Sequence, residues 1–385
     1  MPKLLLVANV SKEHIRKFHI PFILRMKELG WQVDVACRMD EPVPECDHAY
    51  DLPCDRNPRN GGLGKSIRIL REILRRNDYD VVLCNTVVGS IIARVAAVPF
   101  RKKGLKVIYL NHGIHFFHGA SMRRWLLGYP MEKLLAPLTD MLITINSSDY
   151  DMAKKHLRIP VIEQIHGMGV DLSRFKESVF SQEERLQYRR KMGISPDELV
   201  LTYVAEIIDN KNQTMLLNVL ERVRERIPNT RLLLIGPVHD GGALAKIIEA
   251  RNLQDRVMLL GWRDDVPALL HISDIYVASS KSEGLGLNLI EAMACDLPVV
   301  ASRNRGHAET IDDGINGFLV EVNDDKAMAE RVLRLHDDRE LCRNIIRQAH
   351  ADIEKFEKEA TLTELCELVG RNAESSTRNA ASHIG

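Results

Sequence analysis

Short apolar runs alternate with longer amphipathic segments along most of the chain. The runs are rich in Val, Ile and Leu, and the segments between them carry apolar residues at helical spacing. Continuous apolar strands that alternate with helices are typical of parallel sheets with both faces covered, so we expect an α/β protein. The pattern predicts strands at residues 3–10, 31–37, 79–84, 105–110, 141–145, 161–165, 199–205, 231–235, 256–260, 275–279, 298–301 and 318–322, and helices that include 15–29, 63–76, 213–227 and 327–335.

The predicted strands and helices fall into two halves that are built in the same way. A polar stretch at residues 167–191 follows the first set of strands. We predict a doubly wound, Rossmann-like domain at residues 1–170, a second one at 171–370, and a frayed tail at 371–385, where Ser, Asn and Ala are frequent. Whether the last helix packs back on the first domain is left open. Open α/β sheets bind ligands at the carboxyl ends of their strands, so we expect the chemistry in loops that follow strands and face a cleft between the domains.

The formal net charge is zero, but the two halves differ in charge. Residues 1–170 carry 25 basic and 17 acidic side chains, so the 53 of each in the whole chain leave 28 and 36 for residues 171–385. Overall neutrality argues against a nucleic-acid partner, whose phosphates would require a basic surplus. Basic residues of the first half cluster at 65–76, 101–103 and 123–124, which favours contact with an anionic membrane surface.

The chain shows no apolar stretch of the roughly 20 residues that a membrane-spanning helix needs. Its first residues form an apolar run without the basic flank and small-residue cleavage site of a signal peptide. We therefore expect a cytoplasmic protein, and the basic clusters suggest a peripheral position at the inner face of the cell membrane.

A loop with two glycines is the strongest local indication of a binding site. Residues 279–293, SSKSEGLGLNLIEAM, leave a predicted strand, pass Gly284 and Gly286, and enter a helix. Glycines let backbone N–H groups approach a phosphate, and a helix N-terminus adds roughly half a positive charge. Glu283 and Glu291 would repel phosphate but can accept hydrogen bonds from hydroxyl groups. A diphosphate between two hydroxyl-bearing rings fits this arrangement, and a solvated pair of glutamates beside a structural turn is the alternative.

The same segment resembles a known family signature. Glu283 and Glu291 have seven residues between them, as in the E-x7-E signature of the retaining glycosyltransferases of family 4, and further similar segments occur at 232–236, 257–262 and 306–320. In the first half, residues 7–9, 14–21 and 111–116 are similar to members that build bacterial capsule and exopolysaccharide repeat units. The resemblance covers essentially the whole chain and implies the GT-B fold, in which two Rossmann-like domains face a cleft.

The resemblance also implies roles for residues of the second half. Glu291 would hold the ribose hydroxyls of the donor, and Glu283 would contact the transferred sugar. The diphosphate and the sugar would be cradled by the backbone of Gly284, Leu285, Gly286 and Leu287.

One position departs from the family's pattern. The loop at 204–213 should supply an Arg and a Lys to the diphosphate; Lys211 fits the Lys position, but Glu206 stands at the Arg position. Phosphate binding would then depend on Lys211, the helix N-terminus and another cation such as Arg263 or Arg305. Lys211 could instead be an ordinary surface lysine, and Glu206 keeps a catalytically inactive binding subunit among the alternatives.

Candidate residues of the first half lie at or just beyond the carboxyl ends of two predicted strands. Asn9 is a candidate substrate contact, and His112 is the candidate that would contact the transferred sugar, as the matching His of the family does. His112, His115 and His118 are three apart, a spacing that could suggest zinc, but they lie in a predicted loop, and such sites normally lie on a helix and include a carboxylate or thiolate. We expect no metal site, and His115 and His118 are either polar loop residues or acceptor contacts.

The resemblance implies transfer of a hexose or N-acetylhexosamine from a nucleoside diphosphate sugar, with a UDP-sugar favoured, and retention of the anomeric configuration. We expect no cofactor, and the resemblance implies that no divalent metal is needed. The sequence agrees, since no Asp-x-Asp triplet follows an apolar strand of the first half apart from the one at 149–151, on a predicted helix start. The expected acceptor is a glycan linked to a polyprenyl diphosphate, in the synthesis of capsule, exopolysaccharide or lipopolysaccharide.

Two other activities are possible for a chain with two Rossmann-like halves. A nucleotide-sugar epimerase of the same fold would need no acceptor, and it stays open as an alternative. A nicotinamide-dependent oxidoreductase is disfavoured, because no G-x-G-x-x-G follows the first strand.

Overall fold

The computed structural model describes residues 1–54, 62–117, 120–176 and 180–381. The chain divides into two compact units. The first unit comprises Met1–Gly169 together with the chain from Glu359 onward, and the second comprises Val170–Lys358.

The described strands of the first unit form one parallel sheet. They are β1 (Lys3–Val10), β2 (Gln32–Arg38), β3 (Ala49–Asp51), β4 (Val81–Asn85), β5 (Lys106–Asn111), β6 (Met141–Thr144) and β7 (Val161–Gln164). Their order in the sheet is β3-β2-β1-β4-β5-β6-β7. β1 pairs with both β2 and β4, so the winding of the chain reverses between β1 and β4. A loop at the carboxyl end of either strand lies at this switch point, where open α/β sheets bind ligands.

Helices connect these strands. The α-helices are α1 (Ile20–Glu28), α2 (Leu63–Arg76), α3 (Val87–Arg101), α4 (Met122–Leu135) and α5 (Ser147–His156); a 3-10 turn covers Ala136–Leu138. The predicted helix at 15–29 is in fact a π-helix at Ser11–His19 followed by α1. Pro21 lies in the first turn of α1, where its missing N–H leaves no backbone donor unpaired. The predicted helix at 63–76 is confirmed as α2.

The described strands of the second unit form another parallel sheet. They are β8 (Leu199–Val204), β9 (Thr230–Ile235), β10 (Val257–Gly261), β11 (Ile275–Ala278), β12 (Val299–Ser302) and β13 (Phe318–Val320). The order β10-β9-β8-β11-β12-β13 repeats the plan of the first sheet, with its switch point between β8 and β11. The prediction of two doubly wound α/β sheets is confirmed.

The helices of the second unit cover its sheet. They are α6 (Leu172–Lys176), α7 (Gln182–Lys191), α8 (Gln213–Arg224), α9 (Ala243–Ala250), α10 (Val266–His271), α11 (Leu287–Ala294), α12 (Arg305–Thr310), α13 (Asp325–Asp337) and α14 (Arg339–Ile353), with 3-10 turns at Asp209–Lys211 and Glu354–Phe356. The last helix, α15 (Lys358–Ala381), runs into the segment that we expected to be a frayed tail. Every residue of β11 and β12 is buried, which explains their continuous apolar sequences.

Candidate active site

The switch point of the second unit brings together two loops that the sequence singled out. Residues 205–212 follow β8, and residues 279–286 follow β11, its neighbour in the sheet. Both loops leave the carboxyl ends of their strands, because the strands are parallel. The predicted diphosphate-binding and sugar-binding residues of this unit therefore lie at one edge of one sheet.

Lys211 and Glu283 form an ion pair across these loops. The Lys211 Nζ atom lies 2.6 Å from Glu283 Oε1, and the two side chains are only 20% and 16% exposed. A charge-assisted hydrogen bond of this length is stronger than one between neutral groups. Lys211 is thus not the isolated surface lysine of the alternative interpretation.

Three further hydrogen bonds hold the two loops together. Asn210 donates its side-chain amide to the Ser282 carbonyl at 2.9 Å and accepts at its own carbonyl from the Lys281 N–H at 2.8 Å. The Ser279 hydroxyl donates to the Lys211 carbonyl at 2.7 Å. The backbone beside Lys211 is therefore fixed to the chain that carries Glu283.

The start of α12 supports Glu283 from another side. A Cβ atom on Gly306 would lie 2.8 Å from the Cβ and 2.9 Å from the carbonyl carbon and oxygen of Glu283, so only glycine permits this approach. Arg305 donates from Nε to the Glu283 carbonyl at 3.2 Å, and Asn304 donates to the Ser280 carbonyl at 3.0 Å. Sequence reasoning gave Asn304 and Gly306 no such role, because only the fold brings β11 and β12 side by side.

His307 is a buried histidine beside the glycine loop. Its Nδ1 lies 2.7 Å from the Ser302 carbonyl and 3.0 Å from the side-chain nitrogen of Asn304. The carbonyl can only accept and is the nearer partner, so we assign the proton to Nδ1, and the buried Nε2 has no hydrogen-bond partner among the described residues. A Cβ atom on Gly286 would lie 3.1 Å from Cδ2 of this ring, which is bonded to Nε2. Burial lowers the pKa of His307 below its ordinary value, so the ring is neutral near neutral pH.

The predicted donor residues lie at the N-terminal part of α11. Gly286 is the N-cap of this helix, Leu287 is its first residue, and Glu291, which is half-buried, follows one turn later. Asn288 donates to the Val204 carbonyl at 3.0 Å and so ties the start of α11 to the end of β8. Gly284 and Leu285 are half-buried in the loop before the helix.

Glu206 and Arg263 are two further charged candidates for the donor site. The side chain of Glu206 is exposed, while its carbonyl accepts a hydrogen bond from Gln213 at 2.8 Å. Arg263, a candidate replacement cation, donates to Asp265 at 2.7 and 2.5 Å. Arg263 is therefore already bound to an acid of its own unit, whereas Arg305 lies beside Glu283.

In the first unit, a cavity of about 340 Å³ lies at the switch point of the sheet. Its polar lining comes from Asn9, His14, Thr86 and His115. Asn9 accepts from the Thr86 hydroxyl at 2.6 Å and from the Gly89 N–H at 2.8 Å through the same amide oxygen. These two hydrogen bonds hold the start of α3 in place.

Thr86 has a backbone conformation that is nearly restricted to glycine. Its φ of 59° and ψ of 157° are unusual for a β-branched residue and cost about 1–3 kcal/mol. Such outliers persist where surrounding structure enforces them, and they cluster at ligand sites. Thr86 lines the cavity, which makes this edge of the sheet a second candidate binding site.

The ring of His112 lies beside the rings of two other histidines of the first unit, His14 and His19. Its ring centroid lies 5.1 Å from that of His14 and 5.9 Å from that of His19, and burial lowers its pKa to about 4. His115 is exposed, and His118 lies outside the described residues. The Asp-x-Asp triplet begins α5 as predicted, and Asp149 accepts from the Ile114 N–H at 3.0 Å in the loop of His112.

Family models match both halves of the chain. The model for Glycosyltransferase Family 4 matches residues 22–199, and the model for Glycosyl transferases group 1 matches residues 184–352. The "Putative glycosyltransferase EpsD" of Bacillus subtilis (strain 168) is 36% identical over 380 residues, which are 98% of this chain and 99% of that protein. The "UDP-Gal:alpha-D-GlcNAc-diphosphoundecaprenol alpha-1,3-galactosyltransferase" of Escherichia coli is 27% identical over 312 residues, 76% of this chain and 77% of that protein.

Solved structures share the fold. Anabaena Alr3699/HepE in complex with UDP and glucose superposes with a TM-score of 0.76 at 18% identity, over 96% of this chain and 100% of that one. WaaG, a glycosyltransferase involved in lipopolysaccharide biosynthesis, gives a TM-score of 0.73 at 15% identity, over 95% of this chain and 99% of that one. With two Rossmann-like sheets in the GT-B fold and matches along nearly its whole length, the chain belongs to the family 4 glycosyltransferases.

Proposed function

We propose that this glycosyltransferase moves a hexose or N-acetylhexosamine from a nucleoside diphosphate sugar, with a UDP-sugar favoured, to a glycan on a polyprenyl diphosphate, and that it retains the anomeric configuration. The observation that carries the donor half of the proposal is the Lys211–Glu283 pair at the switch point of the second unit. The acceptor half is supported by the Escherichia coli relative, whose name specifies a diphosphoundecaprenol-linked substrate.

In this proposal, positive charge acts on the leaving diphosphate. Lys211 supplies a full charge, and the N-terminus of α11 supplies a partial one through the N–H groups near Leu287. Preorganised charge of this kind stabilises the developing negative charge on the leaving group. Lys211 is well placed for the task because its backbone is fixed by Ser279 and Asn210.

In this proposal, hydrogen-bond acceptors of the protein bind the ribose and the transferred sugar of the donor. Glu291 on α11 binds the ribose hydroxyls, and Glu283 binds a hydroxyl of the transferred sugar, as the family resemblance implies. The neutral Nε2 of His307 adds a further acceptor beside Gly286. From the first unit, we propose His112 as a sugar contact and the cavity beside Asn9 as part of the acceptor site.

The proposed transfer step involves neither a metal ion nor a covalent intermediate. The oxygen of the acceptor hydroxyl forms a bond to the anomeric carbon while the bond from that carbon to the diphosphate oxygen breaks. The hydroxyl proton passes to the leaving diphosphate oxygen. Attack and departure on the same face keep the anomeric configuration.

We also propose that α4 contacts an anionic membrane surface. Met122, Leu126, Leu127 and Leu134 on this helix are between 60% and 77% exposed, and Arg123, Arg124 and Lys133 beside them are exposed as well. Apolar side chains bordered by cations suit the interface of an anionic bilayer. None of the described helices is long and apolar enough to cross a membrane.

The other basic clusters support membrane contact less well. On α2, Arg75 and Arg76 both bind Glu72, and Arg101 binds Asp140 at 2.8 Å. Trp125 packs against Phe116 and donates to the Phe117 carbonyl, so it faces the protein. The proposed contact surface is therefore α4.

Incubation with a panel of UDP- and GDP-sugars, with and without a polyprenyl-diphosphate-linked sugar, tests the activity. We expect acceptor-dependent nucleotide release with one UDP-sugar and an α-configured product from an α-configured donor, seen by NMR. Inversion, or formation of a free epimer without acceptor, would contradict the proposal.

Sedimentation with vesicles tests the membrane contact separately. We expect binding to vesicles that contain anionic lipid and loss of binding in the double variant Leu126→Ser, Leu127→Ser. Leu29→Ser is the matched control, since Leu29 is a 58% exposed leucine outside α4. Equal binding to neutral vesicles, or unchanged binding in the α4 variant, would rule this surface out.

A further inference from the structure

Three histidines from two separate segments meet in the first unit. His14 and His19 lie on the π-helix that follows β1, and His112 follows β5. One nitrogen from each ring lies within 4.8 Å of the other two. His19 is fully buried, and the other two rings are partly buried.

The π-helix is what brings the first two rings together. Residues five apart point in clearly different directions on an α-helix, which turns once every 3.6 residues. In a π-helix the backbone bonds join residues five apart, so the rings of His14 and His19 lie on one face, with their centroids 4.9 Å apart. The helix begins where Ser11 binds the Asp40 carboxylate through its N–H at 3.0 Å and its hydroxyl at 2.7 Å.

The distance between the first two rings suits a shared cation. Nε2 of His14 and Nε2 of His19 lie 3.2 Å apart. Two imidazole nitrogens bound to one tetrahedral zinc ion at about 2.05 Å would be about 3.4 Å apart. A single proton now has to lie between the two nitrogens, because two lone pairs or two N–H groups at this distance would repel each other.

Asn85 orients the third ring. Its side-chain oxygen lies 3.3 Å from His112 Nε2, and because this oxygen can only accept, Nε2 of His112 carries the proton. Nδ1 of His112 then keeps its lone pair. A carbonyl oxygen that fixes the tautomer in this way is the usual outer partner of a metal-binding histidine.

Burial without full hydrogen bonding sets this cluster apart from ordinary core residues. Nδ1 of His19 and the side-chain nitrogen of Asn85 are buried and have no hydrogen-bond partner among the described residues. Each such buried group lowers the stability of the fold by about 1–3 kcal/mol, so an apolar residue at either position would stabilise the core more.

From this geometry we propose that His14, His19 and His112 bind one divalent transition metal ion of the zinc class. Three imidazoles leave a fourth position open. His14 also lines the cavity beside Asn9, so that position is supplied by water or by a hydroxyl group of a bound molecule. Because His112 is also our proposed sugar contact, metal binding is measured directly rather than through sugar transfer.

Titration with Co²⁺ tests the site. The full chain, without an affinity tag and stripped with a chelator, should develop the visible d–d absorption of a tetrahedral Co²⁺ complex at one equivalent and lose it on addition of Zn²⁺. A thiolate charge-transfer band would instead assign the metal to the free cysteines. No visible absorption, or such a band, would overturn the proposal.

Two variants and a control make the test specific. His14→Gln is the main variant, because His14 is only partly buried, and it should weaken Co²⁺ binding at least about a hundredfold. Asn85→Leu removes only the outer partner and should weaken binding by roughly tenfold to a hundredfold. His336→Gln changes an exposed histidine on α13 and should bind as the parent does. Unchanged binding in a folded His14→Gln protein, verified by circular dichroism, would refute the site.

Discussion

Lys211 and Glu283 are 72 residues apart in sequence, yet their charged atoms lie 2.6 Å apart at the switch point of the second sheet. Side-chain hydrogen bonds that Ser279 and Asn210 donate hold the surrounding loops in place. The cation proposed for the leaving group and the carboxylate proposed for the sugar therefore act as one unit. Changing either residue should disturb the other.

We expect Lys211→Met to lower the rate of acceptor-dependent nucleotide release by about 10²–10³, the effect of removing one preorganised charge from a transition state. Glu283→Gln should cause a loss of similar size. Because the two groups contact each other, the double variant should lose clearly less than the product of the single losses.

Lys281→Met is the matched control for this double-mutant cycle. Lys281 also pairs with an acid of the facing loop, Asp209, but that carboxylate is 94% exposed. The rate of nucleotide release by Lys281→Met should stay within about twofold of the parent rate, since exposed ion pairs contribute little. Equal losses in Lys281→Met and Lys211→Met would count against a specific role for Lys211.

Gly306→Ala should lower activity without unfolding the protein. The added methyl group would lie under 3.0 Å from Glu283, whose loop must then move, and a displacement of about 1 Å at a reacting group can reduce a rate by about 10². Gly64→Ala is the control, because a Cβ atom there meets nothing within 4 Å. A Gly306→Ala protein with parental kcat and KM would show that the position of Glu283 is not critical.

The ion pair between Arg94 and Glu132 joins α3 to α4 inside the first unit. Arg94 donates at 2.7 and 3.2 Å to the two carboxylate oxygens and is fully buried beside the ring of Tyr109. Glu132→Ala should reduce the free energy of unfolding by about 3–5 kcal/mol, because it leaves a buried charge unpaired.

Replacing both partners of this pair should recover most of the loss. The variant Arg94→Met, Glu132→Leu fills a similar volume without charge. Urea denaturation, together with hydrogen exchange in α3 and α4, measures both effects. A double variant as unstable as Glu132→Ala would show that packing, rather than the unpaired charge, determines the cost.

The Asp265 carboxylate should make a pH-dependent contribution to stability. Hydrogen bonds from Arg263, helped by one from Tyr188, lower the pKa of Asp265 to about 2. Since its pKa in the unfolded chain is about 3.9, the contribution is fully present above about pH 4 and is lost as the pH falls through about 2.

Asp265→Asn should therefore be less stable than the parent near neutral pH, by a modest amount because solvent screens this partly exposed pair. The difference in free energy of unfolding between the two proteins should shrink as the pH falls below about 4. Urea denaturation over this pH range measures it. A difference that does not change with pH would show that the charge of Asp265 is not responsible.

Strand and helix periodicity predicted the fold because the sheets are buried on both faces. β1 and α2 begin and end at the predicted residues, since β1 has a run of apolar residues from Leu4 to Ala8 and α2 is amphipathic. β3 was missed because it has three residues and depends on pairing with β2. The extension of α15 was missed because its polar composition resembles a tail.

The site was predictable only where local sequence encodes it. Glu283, Glu291 and the glycines are close in sequence, and the family signature marks them. Gly306 reaches Glu283 only through the pairing of β11 with β12, which no local pattern shows. The histidine cluster was missed for a similar reason, because the spacing of His14 and His19 suggests opposite faces of an α-helix.

The conformation of Thr86 has a consequence for improving this protein's heat resistance. Thr86→Gly would relieve backbone strain worth about 1–3 kcal/mol, and it would remove a hydroxyl that binds Asn9 in the wall of the cavity. The same hydroxyl also caps α3 by accepting from the Gly89 N–H, and the loss of an N-cap costs about 0.5–2 kcal/mol. The two effects on stability oppose each other, so Thr86→Gly should leave the heat resistance of this protein nearly unchanged in spite of the strain that it removes.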